Sequence, residues 1–301
     1  MGLFGWMRRG TRGRAVATPA VSPLTVIEGR SHALGVPYML PKDVQEVNRL
    51  DFQHYMLRHM LRGNFAAPVE NPRAILDVGT GTGRWAYDMA QAFPAARVTG
   101  IDIVPPAAEG NASSAPGHPA NYQFVAANVL EGLPFEAGAF DFVHQRLLYG
   151  AIPLANWQGV VHELVRVTRP GGWVELVEGG LPQGQGPGMN TLVQYGVALG
   201  QKRGIDVRVG SRVDQFLRAA SLLNVQMYPV VFPVGPRGDR IGTMAATDLF
   251  SIYEGIRGPA VSLGIATRED YDAALNAWRF EVTAYEQTWP FYIAIGQRPL
   301  G

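Results

Sequence analysis

The chain has 301 residues, 47% apolar and 17% charged, a length that fits one large domain or two small ones. Its 36 glycines and 22 prolines stay below low-complexity composition,, and the absence of cysteine removes disulfide frameworks, thiolate metal sites and cysteine nucleophiles. A formal net charge of +1 is too even for a surface that tracks phosphates, so no nucleic-acid partner is expected.

Residues 1–30 form a basic tail in which Arg8, Arg9, Arg12 and Arg14 precede the first acid, Glu28. Such a segment is read either as a transit or membrane-surface tail or as a frayed, disordered terminus. The short apolar stretch 2–7 precedes the arginines, the reverse of a secretory signal, and no apolar run approaches the roughly 18 residues of a membrane span. A cytoplasmic protein is expected. Residues 31–72 form an N-terminal helical cap. Within it, 41–62 reads as one amphipathic helix with Val44, Val47, Leu50, Met56, Leu57, Met60 and Leu61 on or near one stripe,.

From residue 73, short β-type runs at 74–78, 97–102, 122–126, 140–144 and 173–178 alternate with helix-length segments at 84–93 and 156–168. That alternation predicts a parallel sheet with crossover helices. The stretch 105–119, with four prolines, reads as loop,. Helices at 191–203 and 211–222 and strands at 225–233 and 290–296 complete the pattern. Between those last strands, about residues 237–288, lies a helical insertion far longer than a hairpin needs, suited to a lid. Met244, Leu249, Phe250, Ile252, Tyr253 and Ile256 on it can roof an apolar pocket or face the core,. The six histidines show no i, i+4 pair, and His162-Glu163 lacks the second histidine of HExxH, so no metal is expected.

The most specific local feature is Ile75-Leu76-Asp77-Val78-Gly79-Thr80-Gly81-Thr82-Gly83, a strand running into a glycine turn and then a helix. Glycines suit a turn of unusual backbone angles against which a ligand lies. An acid two residues before the first glycine would repel a pyrophosphate but welcome an ammonium-bearing cofactor. Asp102 ends the next strand, where a carboxylate can take both ribose hydroxyls of an adenosine, with Ile103 following. Asn128 ends the third strand beside Val129 and Leu130, placed for an adenine edge and face, although a turn asparagine is common in any protein.

These spacings resemble the motifs of class I S-adenosylmethionine-dependent methyltransferases, as does VRVTRPGGWVE at 165–175. A closer resemblance, to the LaeA-like methyltransferases, rests on Tyr38-Met39-Leu40-Pro41-Lys42-Asp43 with Glu46, Arg49-Leu50-Asp51 and Gln53-His54. Gly79 to Trp85 (GTGTG-x-W) and Phe140 to Arg146 (FDFxHxR) carry it further, and Phe232-Pro233-Val234-Gly235 fits weakly. The resemblance implies an α/β Rossmann-like seven-stranded sheet, an N-terminal helix closing over S-adenosyl-L-methionine, and Tyr38 reaching the cofactor.

Methyl transfer is an in-line displacement, so the protein must hold the acceptor close, exclude water and take one proton. His144, at the end of the fourth strand, is the first candidate base; a structural role between strand and helix is its alternative. Glu178 at the end of the fifth strand and His54 on the capping helix are the others. Arg49 is a candidate partner for the methionyl carboxylate, or a helix arginine linked to Glu46 or Asp51. Arg146 reads as a structural ion-pair partner.

The expected activity is methyl transfer to an oxygen, nitrogen or carbon of a small, partly apolar molecule such as a secondary metabolite. His144-Gln145-Arg146 stands where amino-methylating nucleic-acid enzymes carry Pro-Pro-aromatic. The alternatives are a cofactor-binding regulator or scaffold with little turnover and a cyclase built on the methyltransferase fold. A homodimer is left open.

Overall fold

The computed structural model describes residues 24–33, 35–105 and 119–300. The four arginines of the head, and the expected loop at 105–119 apart from its end residues, lie outside the described residues. In chain order, a hairpin of β1 (Leu24–Ile27) and β2 (Arg30–Ala33) precedes α1 (Val44–Met60), β3 (Ala74–Val78) and α2 (Arg84–Ala92). Then come β4 (Arg97–Asp102), β5 (Tyr122–Ala126), β6 (Phe140–Arg146), α3 (Trp157–Val167) and β7 (Thr168–Gly179). The chain ends with α4 (Pro187–Lys202), α5 (Val213–Ala219), β8 (Leu223–Val234), α6 (Asp239–Ser262), α7 (Arg268–Ala284) and β9 (Gln287–Gln297).

Seven strands form one sheet in the order β5-β4-β3-β6-β7-β9-β8. The first five are parallel, and β9 runs antiparallel to both β7 and β8. This is the expected Rossmann-like methyltransferase sheet. β3 is buried along its whole length, and its residues alternate between faces. Leu76 and Val78 pack with Val161, Leu164 and Val213 under α3 and α5, while Ile75 packs with Trp85, Met89 and Phe142 under α2. A third cluster, with Phe232, Trp289 and Phe291 at its base, is covered by α4, α6 and α7. The topology places β4 on one side of β3 and β6 on the other. The order in which strands are added therefore reverses at β3, and open α/β sheets hold ligands beside the C-terminal end of such a strand,.

Several elements depart from the sequence reading. The hairpin β1-β2 occupies the end of the expected tail. It is anchored by Arg30, whose guanidinium clamps Asp43, the residue whose carboxylate caps α1 by accepting from Glu46 N at 3.0 Å,. Glu28 of the same hairpin pairs with Arg268 at 2.5 Å. Helix α4 begins at Pro187, earlier than expected, because Glu281 of α7 accepts from the amides of Gly188 (2.8 Å) and Met189 (3.2 Å),.

The largest difference is the buried face of α1. Met56 and Leu57 are buried as expected, but Val44 is 74% exposed, and Glu46, Arg49, Gln53 and His54 are buried. The apolar stripe is therefore not what seats the first half of the helix. Among the described residues no helix is long and apolar enough to cross a membrane.

Candidate active site

The glycine turn after β3 holds Gly79, Gly81 and Gly83 at φ of 70°, 56° and 77°, left-handed values that cost a side-chain-bearing residue. Thr80 fixes the turn twice: its amide donates to Ile101 O at 2.8 Å and its hydroxyl to Asp77 Oδ2 at 2.6 Å. The turn floors a cleft of about 1090 Å³, its mouth included, which Asp77, Gly79, Thr80, Gly81, Asp102, Ile103, Asn128 and Val129 all line. Gly83 does not line it; its left-handed backbone starts α2.

Asp102 ends β4 beside this turn, accepting from Gly81 N at 3.0 Å and Val104 N at 3.2 Å, with Lys42 Nζ 3.6 Å away. Asn128 starts the turn after β5 and accepts from Leu130 N at 3.1 Å. Tyr38, from the segment before α1, forms the opposite wall and donates to Glu46 Oε1 at 3.3 Å. The residues expected to hold an adenosyl group thus converge on one cleft at the switch point.

The three candidate bases do not converge in the same way. His144 is 1% exposed and lines neither this cleft nor the cavity next to it. Trp85 lies flat on its ring, with centroids 3.7 Å and planes 3° apart. Its Nδ1 is 3.0 Å from Asp77 Oδ1, an acceptor, so the proton sits on Nδ1. Burial holds the imidazole below its usual range despite that carboxylate. The geometry makes His144 a support that aims Asp77.

Glu178 is likewise enclosed. It accepts from Gln145 Nε2 (3.2 Å), Leu148 N (3.1 Å) and Tyr149 N (3.1 Å), and burial pushes its carboxyl up to about 8. It holds the loop that follows β6 and lines neither cavity. His54 does line the cleft. There its Nδ1 accepts from Arg146 Nη2 at 3.1 Å, and its Nε2 faces Asp88 Oδ2 at the same distance. Burial and the Arg146 cation push it down to about 4, so it stands neutral with both nitrogens engaged.

Arg49 takes the second of its two expected places, the link to Glu46, and does not line the cofactor cleft. Its guanidinium meets Glu46 at 2.6 and 2.8 Å and Asp248 of α6 at 2.8 Å, and Gln53 donates to the other Asp248 oxygen at 2.7 Å. Three cations line the cofactor cleft: Lys42, near Asp102, Arg84, paired with Asp51, and Arg146. Arg146 is the one without an acid partner among the described residues. It is enclosed enough for burial to lower its own pKa, and among the described residues its one hydrogen-bond partner is His54. Strand pattern places Arg146 at the end of β6, but nothing local distinguishes an arginine with free donors from one locked to acids.

A second cavity, about 840 Å³ with its open mouth included, adjoins the first, and Tyr38, Leu50, Gln53 and Leu147 wall both. Leu249, Ile252, Tyr253 and Ile256 of α6 line it, together with Trp289 and Tyr149. Of the six residues expected to roof a pocket, Leu249, Ile252, Tyr253 and Ile256 line this cavity, and Met244 and Phe250 do not. Tyr149, which comes from the loop held by Glu178, went unread in the sequence because its neighbours carry no motif.

A family described as "Methyltransferase domain" matches residues 75–172, which span the glycine turn to the start of β7. The methyltransferase str2 of Strobilurus tenacellus is 31% identical over 208 residues, covering 66% of this chain and 72% of that protein. The secondary metabolism regulator laeA of Aspergillus fumigatus is 35% identical over 144 residues, 47% of this chain and 36% of that one. Among solved structures, the [4+2]-cyclase SpnF shares the fold with a TM-score of 0.50 at 18% identity, covering 89% of this chain and 99% of that chain.

Sequence match and sheet topology agree on one class, the class I S-adenosylmethionine-dependent methyltransferases. The chain belongs to the methyltransferase family that includes str2 and lies close to the LaeA-like members, and its cofactor is S-adenosylmethionine.

Proposed function

We propose that the protein is a cytoplasmic enzyme that methylates an oxygen, nitrogen or carbon atom of a small, partly apolar molecule of secondary metabolism. The observation that carries this reading is the second cavity. It is lined mostly by apolar side chains, several from α4 and α6, as small-molecule sites are, and shares four wall residues with the cofactor cleft,. Residues 31–72 then act as a cap over the cofactor and the α6-α7 insertion as a lid over the acceptor.

The donor set of the cleft fits the cofactor. Asp102 suits the ribose hydroxyls, Ile103, Val129 and Leu130 the adenine faces, and Asn128 its edge. Asp77, held by Thr80 and His144, suits the ammonium. Arg146, with donors to spare, suits the methionyl carboxylate better than Arg49, whose donors are spent on two acids. When bound, the cofactor supplies an electrophilic methyl group on sulfur. The chain's own work is to orient the acceptor, exclude water and close over both.

A thermal-shift titration with S-adenosylmethionine and S-adenosylhomocysteine tests the cofactor half. At about 100 times the dissociation constant the ligand adds about 2.7 kcal/mol, a rise of about 4 °C for a chain of this length, and Asp102→Ala should abolish it. Incubation with methyl-labelled cofactor and a metabolite extract tests the other half. Label entering small molecules supports the enzyme. Binding without transfer would favour the regulatory reading suggested by the likeness to laeA, and product without S-adenosylhomocysteine would favour a cyclase.

A further inference from the structure

The acceptor cavity is conspicuous for what its polar side chains can and cannot do. Its polar side chains are Tyr38, Arg49, Gln53, Tyr149 and Tyr253, and among the described residues no carboxylate or imidazole lines it. The guanidinium only donates, the phenols and the amide donate or accept, and none of them is a base at neutral pH. Burial raises the phenols of Tyr38 and Tyr253 and pushes Tyr149 up to about 12, so each keeps its proton at neutral pH. Tyr149 and Tyr253 make no hydrogen bond through their hydroxyls to the described residues. Tyr149 acts on the ionisation of Tyr253, and Tyr149 in turn feels the Arg49 cation and the Glu178 and Asp248 carboxyls. Of the Glu46-Arg49-Asp248 cluster, only the cation lines the cavity.

The bases nearest the cavity are withdrawn from it. Glu46 and Asp248 sit behind Arg49 and accept its hydrogen bonds, Glu178 holds the 148–149 amides, and His144 is covered by Trp85. His54 faces the cofactor cleft with both nitrogens engaged. An alcohol must shed a proton as it is methylated, and an ordinary amine arrives protonated with no free electron pair. Neither finds a proton acceptor here.

We propose, on the footing of the methyltransferase reading above, that the acceptor is an apolar acid already ionised at neutral pH, a carboxylic acid or an enol of comparable acidity. Tyr149 and Tyr253, which line the cavity, receive its oxyanion. An oxygen lone pair forms the new O–CH3 bond as the S–CH3 bond breaks, and the bonding pair goes to sulfur. The oxyanion and sulfonium charges cancel, and no proton changes hands. A dry apolar cavity favours such charge annihilation, because water stabilises the separated charges more than the neutral products.

The test is a set of aryl and alkyl carboxylic acids and cyclic 1,3-diketones, whose enols are ionised at neutral pH, each beside the alcohol, amine and amide of the same skeleton, offered to the full chain with S-adenosylmethionine. Release of S-adenosylhomocysteine should be confined to the acids and diketones. The rate should follow the acceptor's own ionisation and stay level from about pH 6 to about pH 9, as expected when no protein base participates. Tyr149→Phe should raise KM for the acids about tenfold, the scale of a lost hydrogen bond to a charge, with a smaller change in kcat and the cofactor-induced rise in Tm intact. Turnover of alcohols or amines, a rate governed by a protein group titrating near neutrality, an unchanged KM in Tyr149→Phe, or no turnover of any acid by protein that responds to the cofactor overturns the proposal. A chain whose Tm does not respond to the cofactor at all overturns the methyltransferase reading beneath it.

Discussion

Two arginines show how the same side chain takes opposite roles according to its neighbours. Arg49 and Arg146 both come from segments that resemble LaeA-like sequences, yet one is locked between Glu46 and Asp248 and the other keeps donors toward the cleft. Arg146→Met should therefore weaken S-adenosylmethionine and S-adenosylhomocysteine by about ten- to one-hundredfold, the range for a charge-assisted hydrogen bond. It should have far less effect on decarboxylated S-adenosylmethionine, which lacks the group that Arg146 would meet. Titration of both ligands against both proteins checks this, and an equal loss for the two would place Arg146 away from the carboxylate.

Helix α1 teaches a different lesson, because its existence was legible and its orientation was not. Asp43 at its start and its length and amphipathic run can be read locally. The burial of Glu46, Arg49 and Gln53 depends on Asp248, 199 positions from Arg49 in sequence, and no periodicity within α1 announces a partner on α6. The same reason hid the hairpin anchored by Arg30 and Glu28, and the true start of α4, capped by a glutamate from α7. The β3-turn-α2 unit was legible in full, since a fully buried strand, three left-handed glycines and the acids of the cleft all follow from adjacent residues. His144 was read at the right strand end, but the indole of Trp85 that seals it comes from α2. The α1-α6 lock carries its own prediction. Arg49→Met leaves two buried acids without their cation and should cost about 3–5 kcal/mol, seen as a lower denaturation midpoint by urea titration. In contrast to Arg146→Met, the loss should appear without any cofactor present.

At the scale of the whole molecule, ionisable groups are buried along the C-terminal edge of the sheet, and their titration shapes stability. Burial pushes Glu178 up to about 8 and Glu175 to about 7, even though the amides of Ala66 and Ala67 each donate to Glu175 at 2.8 Å. Between the ordinary glutamate value of 4.5 and those values the folded chain keeps protons that the unfolded chain has released, so stability falls as pH rises. His54 acts in the opposite sense. The unfolded chain takes up its proton below 6.5 while the folded chain refuses it until about 4, so stability falls as pH drops through that window. Above 6.5 only the carboxylates act. Tm should decline from about pH 6.5 to about pH 8, and Glu178→Gln should flatten part of that decline in a melting series across buffers.

The wall that Tyr38, Leu50, Gln53 and Leu147 share between the two cavities has a consequence for the order of events in turnover. A partition used by both sites is complete only when one side is filled, so the cofactor is the natural first arrival and its spent form the last to leave. Steady-state kinetics would then show a compulsory sequence, with S-adenosylhomocysteine competing against the methyl donor and the methylated product competing against neither substrate.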